Sequence, residues 1–362
     1  GCILGIITAW FIIASPLRKA IDDNNAISLP EYFENRINDT SGYIRLIASI
    51  IITFYFTFYI AAQFSGAGKV LNVTFGMNVH HGMLLGGIII IFYTLLGGFL
   101  AVAWTDLVQG IIMIGTLIIL PIVGWIELSN HDNISIFDWS TLYGNKVGYA
   151  ALLSAISGLS WGLGYIGQPH LIARFMAINK PKNIITSRKI AIIWAIPAFI
   201  GAMLIGLIGA QLIERGLLTF NGQIIHSIEA LADPEKLMPI MATNLLPTWL
   251  AGIFISGAIA AMMSTADSQL LISTTVISEK ITEKIINKSA TGTNQLKTSR
   301  MLTILVGLIA FKLALDSKDL VFEMVSFAWG GLGASFGPAL VLSLWWKKIS
   351  RLGILMGMIT GT

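Results

Sequence analysis

One cysteine, Cys2, is all that the 362 residues contain, so no disulfide forms within the chain and the redox compartment stays open. Charge is almost as scarce. Asp, Glu, Lys and Arg make up 12% of residues, about half the share of a soluble domain and too little to cover a folded surface. No P-loop, HExxH or CxxC pattern occurs. Without a metal or nucleophile constellation, an intramembrane enzyme has no support. Gly1 to Ala14 lacks a basic n-region and a small-residue cleavage site, so it reads as a cut-off span and not as a signal peptide. The last apolar run, Gly353 to Thr362, is too short to cross, and the chain is therefore expected to be truncated at both ends.

Apolar residues fill the space that charge leaves. They are 55% of the chain, with a mean hydropathy of +0.78. They come in runs such as Leu84 to Val102, Leu107 to Trp125 and Ile190 to Leu212, each near the roughly 20 residues that cross a bilayer. The class is all-α and polytopic. Ten apolar segments are expected, at 1–14, 43–71, 82–102, 104–126, 149–176, 188–213, 248–278, 300–316, 320–346 and 352–362. Polar stretches such as Asp22 to Asn25, Asn130 to Asn133 and Ala290 to Asn294 separate them.

Basic residues orient these spans, because Lys and Arg resist translocation. With the first segment ending in the cytoplasm, the connections 15–45, 97–104, 174–189, 279–300 and 347–351 face inward and hold 17 of the 23 Lys and Arg. That placement accounts for the net charge of +4 as topology signals beside an anionic leaflet. It leaves no call for nucleic acid. In the outer connection 214–247, Pro234 to Asn244 is either a plain loop or a short helix over the outer mouth. His80 and His81 are read as solvated in an outer loop.

Two carboxylates, Asp106 and Asp267, stand inside spans, whereas the other 17 lie in connections or near span ends. A charge at mid-bilayer costs about 2.5–3.5 kcal/mol on insertion scales, so it is normally paired or functional. Asp106 is either a helix N-terminal acid assisted by Thr105 or part of an ion path. Asp267 has no basic residue on its own segment. Ala261, Ser264, Thr265 and Ser268 share one helical face, with Asp267 at its edge. Hydroxyls and a carboxylate suit a hard cation, while small residues and hydroxyls also serve plain helix packing.

The stretch Gly158 to His170 holds four glycines and Pro169 and cannot continue as a smooth helix. Broken backbone at membrane depth is tolerated where it lines a cavity, and transporters use it to bind substrate. Trp161 and Tyr165, four apart, form one wall of such a pocket; the alternative is a proline kink with an interfacial aromatic belt. His170 is either a proton relay or the partner in a simple hydrogen bond, and the second is preferred. The run Trp329 to Pro338 is either a hinge or a close-packing surface, and packing is preferred.

These motifs resemble the sodium:solute symporter family, above all its bacterial sodium/proline branch. The resemblance is carried by Trp161 to Met176, Gly97 to Asp106, Ala260 to Thr265 and Ser28 to Phe33, and it covers essentially the whole of 1–362 as a single transporter domain. It implies a LeuT-like fold of two inverted five-helix repeats. Segment 1–14 would be the second core helix, the break at Gly164 to Pro169 the sixth, and 250–278 the eighth, with the first preceding Gly1. It further implies sodium binding by the Ala261 carbonyl and the Ser264 and Thr265 hydroxyls. A second cation site or path would involve Asp106, Asp267 and Ser268. Substrate binding would fall to Tyr59, Trp161, Tyr165, Gln168 and Pro169. The implied activity is sodium-coupled uptake of a small solute, L-proline first, in the bacterial inner membrane, with sodium as coupling ion and no other cofactor. Another solute, or a membrane input domain of a sensor kinase, is the alternative.

Overall fold

In hydrocarbon, a backbone that cannot bond to water must bond to itself, and helices form over nearly all the apolar runs. The computed structural model describes residues 1–24, 26–131, 148–231, 233–285 and 292–362, with side chains described outside 279–285 and 292–295. The separator residues Asn25, Asp132, Asn133, Ala290 and Thr291 lie outside the described residues, as does Lys146. Lys280, Lys284 and Lys288 of the inner connection lie outside the described side chains.

The helices are α1 (Cys2–Ile12), α2 (Ala14–Asn24), α3 (Leu29–Arg36), α4 (Tyr43–Phe75), α5 (Val79–Ser129), α6 (Tyr149–Gly164), α7 (Pro169–Met176), α8 (Asn183–Glu214), α9 (Leu237–Leu245), α10 (Thr248–Ile285), α11 (Gly292–Asp316), α12 (Val321–Trp345) and α13 (Arg351–Gly361). The only strands among the described residues are the two-residue pair Thr219–Phe220 and Gln223–Ile224. Asn221 and Gly222 turn that hairpin at positive φ.

The segment boundaries shift in three places. The first span does not stop at residue 14: α1 and α2 continue past Ile13 with a 43° bend, and α3 also lies within what reads as the connection 15–45. His80 and His81 are exposed, as expected, but sit in the first turn of α5. Segments 82–102 and 104–126 join into the 51 residues of α5. Straight, that helix would be roughly 75 Å long, more than twice the ~30 Å of hydrocarbon. It bends back instead at Gly98, whose φ of 62° and ψ of −176° suit a residue without Cβ. The break falls inside the expected connection 97–104. In the outer connection the short helix is present, as a 3₁₀ turn Pro234–Lys236 leading into α9.

Burial sorts the spans. The apolar window of α4 is 61% buried against 22% in α5 and in α8, so α4 is the central post and the other two face outward. Ile88, Phe92 and Leu96 of α5 and Ile190 and Ile193 of α8 are among the exposed apolar side chains. α10 packs on α5, α4 and α11, while α12 packs on α4, α13 and the turn after α6. The functional elements α6, α7, α10 and α12 thus gather around α4 and the second half of α5.

Candidate cation and substrate site

The glycines of Gly158 to Pro169 break the helix where the sequence places the break. α6 ends at Gly164, Tyr165–Gly167 form one 3₁₀ turn, Gln168 is extended, and Pro169 opens α7. Proline suits that position because its missing N–H has no helical acceptor to lose. Gln168 is fully buried and ties the break down: its Nε2 donates to the carbonyls of Gly164 at 3.2 Å and Trp329 at 3.0 Å. Its Oε1 is buried without a partner among the described residues.

The break lets α12 come in close. A Cβ on Gly164 would run into the Trp329 indole, and one on Gly333 would lie 2.7 Å from the Gly164 Cα. Trp329 to Pro338 is therefore a packing surface, as expected, and something more. The Trp329 ring sits 4.7 Å from Tyr165, 6.0 Å from Trp161, 6.4 Å from His170 and 6.5 Å from Tyr59. Its Nε1 donates to the Trp161 carbonyl at 3.1 Å. Three of the expected substrate residues, Tyr59, Trp161 and Tyr165, thus meet at one indole that reads from the sequence as packing, and Gln168 bonds the backbone carbonyl of the same residue. Its one signal was an indole at the head of a glycine run. Pro169 faces elsewhere, into a cavity of about 350 Å³ bounded by Ile27 to Pro30, Phe99 and Leu271 to Val276.

On α10 the three expected sodium ligands converge. The Ser264 and Thr265 hydroxyls both donate to the Ala261 carbonyl, at 3.1 and 2.8 Å. The hydroxyls bond back to their own helix, which is the packing reading, and with the Ala261 carbonyl they bring three oxygens together. Ser264, Thr265 and Ser268 line a cavity of about 400 Å³ whose other walls include Asp106 of α5 and His170 and Arg174 of α7. The candidate sodium ligands Ser264 and Thr265 and the candidate second-site residues Asp106 and Ser268 share this space.

Asp106 is not a helix-capping acid. It lies two turns beyond the break at Gly98, past the first turn where the dipole acts. It is paired instead with Arg174, whose Nη2 also donates to the Ser268 hydroxyl at 2.7 Å. Thr105 bonds the Ala101 and Val102 carbonyls and the Tyr93 hydroxyl. Asp267 does not line the shared cavity. It is fully buried, and Tyr93 stands beside both it and Asp106. The Tyr93 hydroxyl is engaged with Thr105, and both Asp267 oxygens lack a hydrogen bond among the described residues. His170 departs from expectation, because its Nδ1 is buried with no partner among the described residues.

Comparison with known proteins gives one answer. The profile of the sodium:solute symporter family matches residues 1–361. Sodium/proline symporter 2 of Staphylococcus saprophyticus is 36% identical over 367 residues, covering all of this chain and 70% of that protein. The high-affinity proline transporter PutP of Bacillus subtilis is also 36% identical, with 75% of its length covered. The sodium/proline symporter of Escherichia coli is 34% identical, with 71% covered. The substrate-bound, outward-open structure of a Na+-coupled sialic acid symporter superposes with a TM-score of 0.73 over 99% of this chain and 77% of that one, at 18% identity. The fold is the expected LeuT-like one, and the chain belongs to the sodium:solute symporter family.

Proposed function

We propose that this chain carries L-proline into a bacterial cell across the inner membrane, driven by sodium, with 1–362 acting as one transmembrane unit. Relatives named sodium/proline symporters or proline transporters, at 33–36% identity across the whole chain, support this reading. The observation that carries it is the shared cavity, which the Ser264, Thr265 and Ser268 side chains line with Asp106 and which His170 joins to the aromatic residues around Trp329.

In this reading Ala261, Ser264 and Thr265 bind the coupling sodium. Asp106 and Ser268 form a second cation position, which Arg174 fills in this conformation, and Asp267 tunes the field around it. Tyr59, Trp161, Tyr165 and Gln168 contact the substrate, and Pro169 at the head of α7 lies on the inward route. One charge crossing 100 mV releases about 2.3 kcal/mol, and a tenfold sodium gradient about 1.4. Together they support a roughly 500-fold solute gradient at one-to-one coupling.

The test is uptake of radiolabelled proline by the full-length protein in proteoliposomes with an imposed sodium gradient. Proline accumulation abolished by replacing sodium with potassium supports the reading. Sodium-driven uptake of another solute, outcompeting proline, moves the assignment to that solute.

A further inference from the structure

The aromatic cluster around Trp329 and the cation cavity are distinct, and His170 belongs to both. On one side its ring packs edge-on against Phe56 at 5.6 Å, Tyr59 at 6.2 Å and Trp329 at 6.4 Å. On the other it lines the cavity that holds Ser264, Thr265 and Asp106. Its Nδ1 is buried and unpartnered among the described residues. A buried polar atom without a hydrogen bond costs about 1–3 kcal/mol, so such an atom at a binding site marks a bond made in another state. Pro169 before it and the Gln168 amide bonds fix where α7 begins, so the ring is held at this boundary by the broken helix itself.

We propose that His170 is the positioning residue that couples sodium occupancy to substrate occupancy. Its Nδ1 takes up a hydrogen bond only when aromatic cluster and cavity are both loaded, and that bond links the two affinities. This rests on the sodium-coupled reading above. Linkage makes the effect reciprocal: whatever substrate does to sodium affinity, sodium does to substrate affinity.

The experiment measures half-saturating sodium with and without saturating proline, on purified full-length protein. In the unsubstituted protein, proline lowers half-saturating sodium by a factor within the roughly 5–150-fold range of allosteric coupling. His170→Phe keeps a ring against Phe56, Tyr59 and Trp329 but has no ring nitrogen. Its ratio falls to about 2-fold or less on that same scale. His170→Asn places an amide atom where Nδ1 stands and restores most of the ratio, whereas His170→Gln, which mimics Nε2, does not. A full ratio in His170→Phe overturns the inference. So do equal ratios in the Asn and Gln variants, which decide the matter alone where the Phe variant does not accumulate. If the unsubstituted protein shows sodium-dependent binding of another solute and none of proline, the substrate assignment fails while the coupling ratio is read with that solute. If it binds no solute in a sodium-dependent way, the functional reading falls and this inference with it.

Discussion

The Arg174 guanidinium is shared between the Asp106 carboxylate of α5 and the Ser268 hydroxyl of α10, three helices joined at one cation. A tethered cation and a free sodium compete for the same oxygens. Asp106→Asn is expected to raise half-saturating sodium tenfold or more, a loss of about 1.4 kcal/mol. Arg174→Gln frees the carboxylate, and the sodium Hill slope of uptake should rise. Asp267→Ala removes a buried, unpartnered carboxyl, and the slope and the sodium affinity should both change. An unaltered sodium titration in all three variants would remove the second site from the account.

At the other face of the membrane, Glu235 joins three elements. It accepts from Lys69 of α4 at 2.5 Å and from the first N–H groups of α12, Val321 at 3.0 Å and Phe322 at 2.9 Å. Asp233 adds a second carboxylate 3.0 Å from Lys69. Phe322 in turn rests on Trp161, 5.3 Å between rings, so this latch lies directly over the aromatic cluster. Glu235→Ala leaves the Val321 and Phe322 N–H groups without this acceptor and Lys69 with Asp233 alone, and should lower stability by about 2 kcal/mol, read as a reduced melting temperature in detergent. Faster labelling of a cysteine placed at Trp161 is the matching kinetic readout.

Low pH should weaken the inner side. Burial pushes the Asp39 carboxyl up, but the Ser41 hydroxyl, the Ile44 and Ser41 N–H groups and the Arg351 guanidinium outweigh it and hold the carboxyl below its ordinary range. A depressed carboxylate stabilises the fold above the unfolded value of about 3.9 and loses that contribution as pH falls through the folded value. The stability difference between the unsubstituted protein and Asp39→Asn should therefore be full at neutral pH and shrink below about pH 4, as followed by thermal melts from pH 7 to 3.

Glycines of the two facing runs differ sharply. A Cβ at Gly164 meets the Trp329 indole, whereas one at Gly330 meets nothing within 4 Å. Gly164→Ala should cost about 1–3 kcal/mol by overpacking and abolish uptake, while Gly330→Ala leaves uptake near normal. Parallel uptake assays normalised to membrane protein level check the pair.

Much of this was legible in the residues because it is local. Apolar runs marked the spans, Pro169 with its glycines marked the break, and the i, i+3, i+4 spacing of Ala261, Ser264 and Thr265 put three oxygens together. The rest depends on helices far apart in the chain. Arg174 reaches Asp106 across 68 residues, and Trp329 reaches the Trp161 carbonyl across 168; no spacing rule covers either. Asp106 reads from the sequence as either a capping acid or part of an ion path, and only the bend at Gly98 separates the two. His170 reads as an ordinary hydrogen-bonded histidine because the sequence does not show that its Nδ1 is buried without a partner among the described residues.

Sodium-driven proline uptake with Ser264→Ala and Thr265→Ala combined, beside the unsubstituted protein, probes the central claim most directly. The account predicts strong accumulation of proline under an inward sodium gradient, and half-saturating sodium raised at least tenfold, by about 1.4 kcal/mol, when the two hydroxyls are removed. Accumulation that is indifferent to sodium, or a double variant with an unchanged sodium requirement, would contradict it.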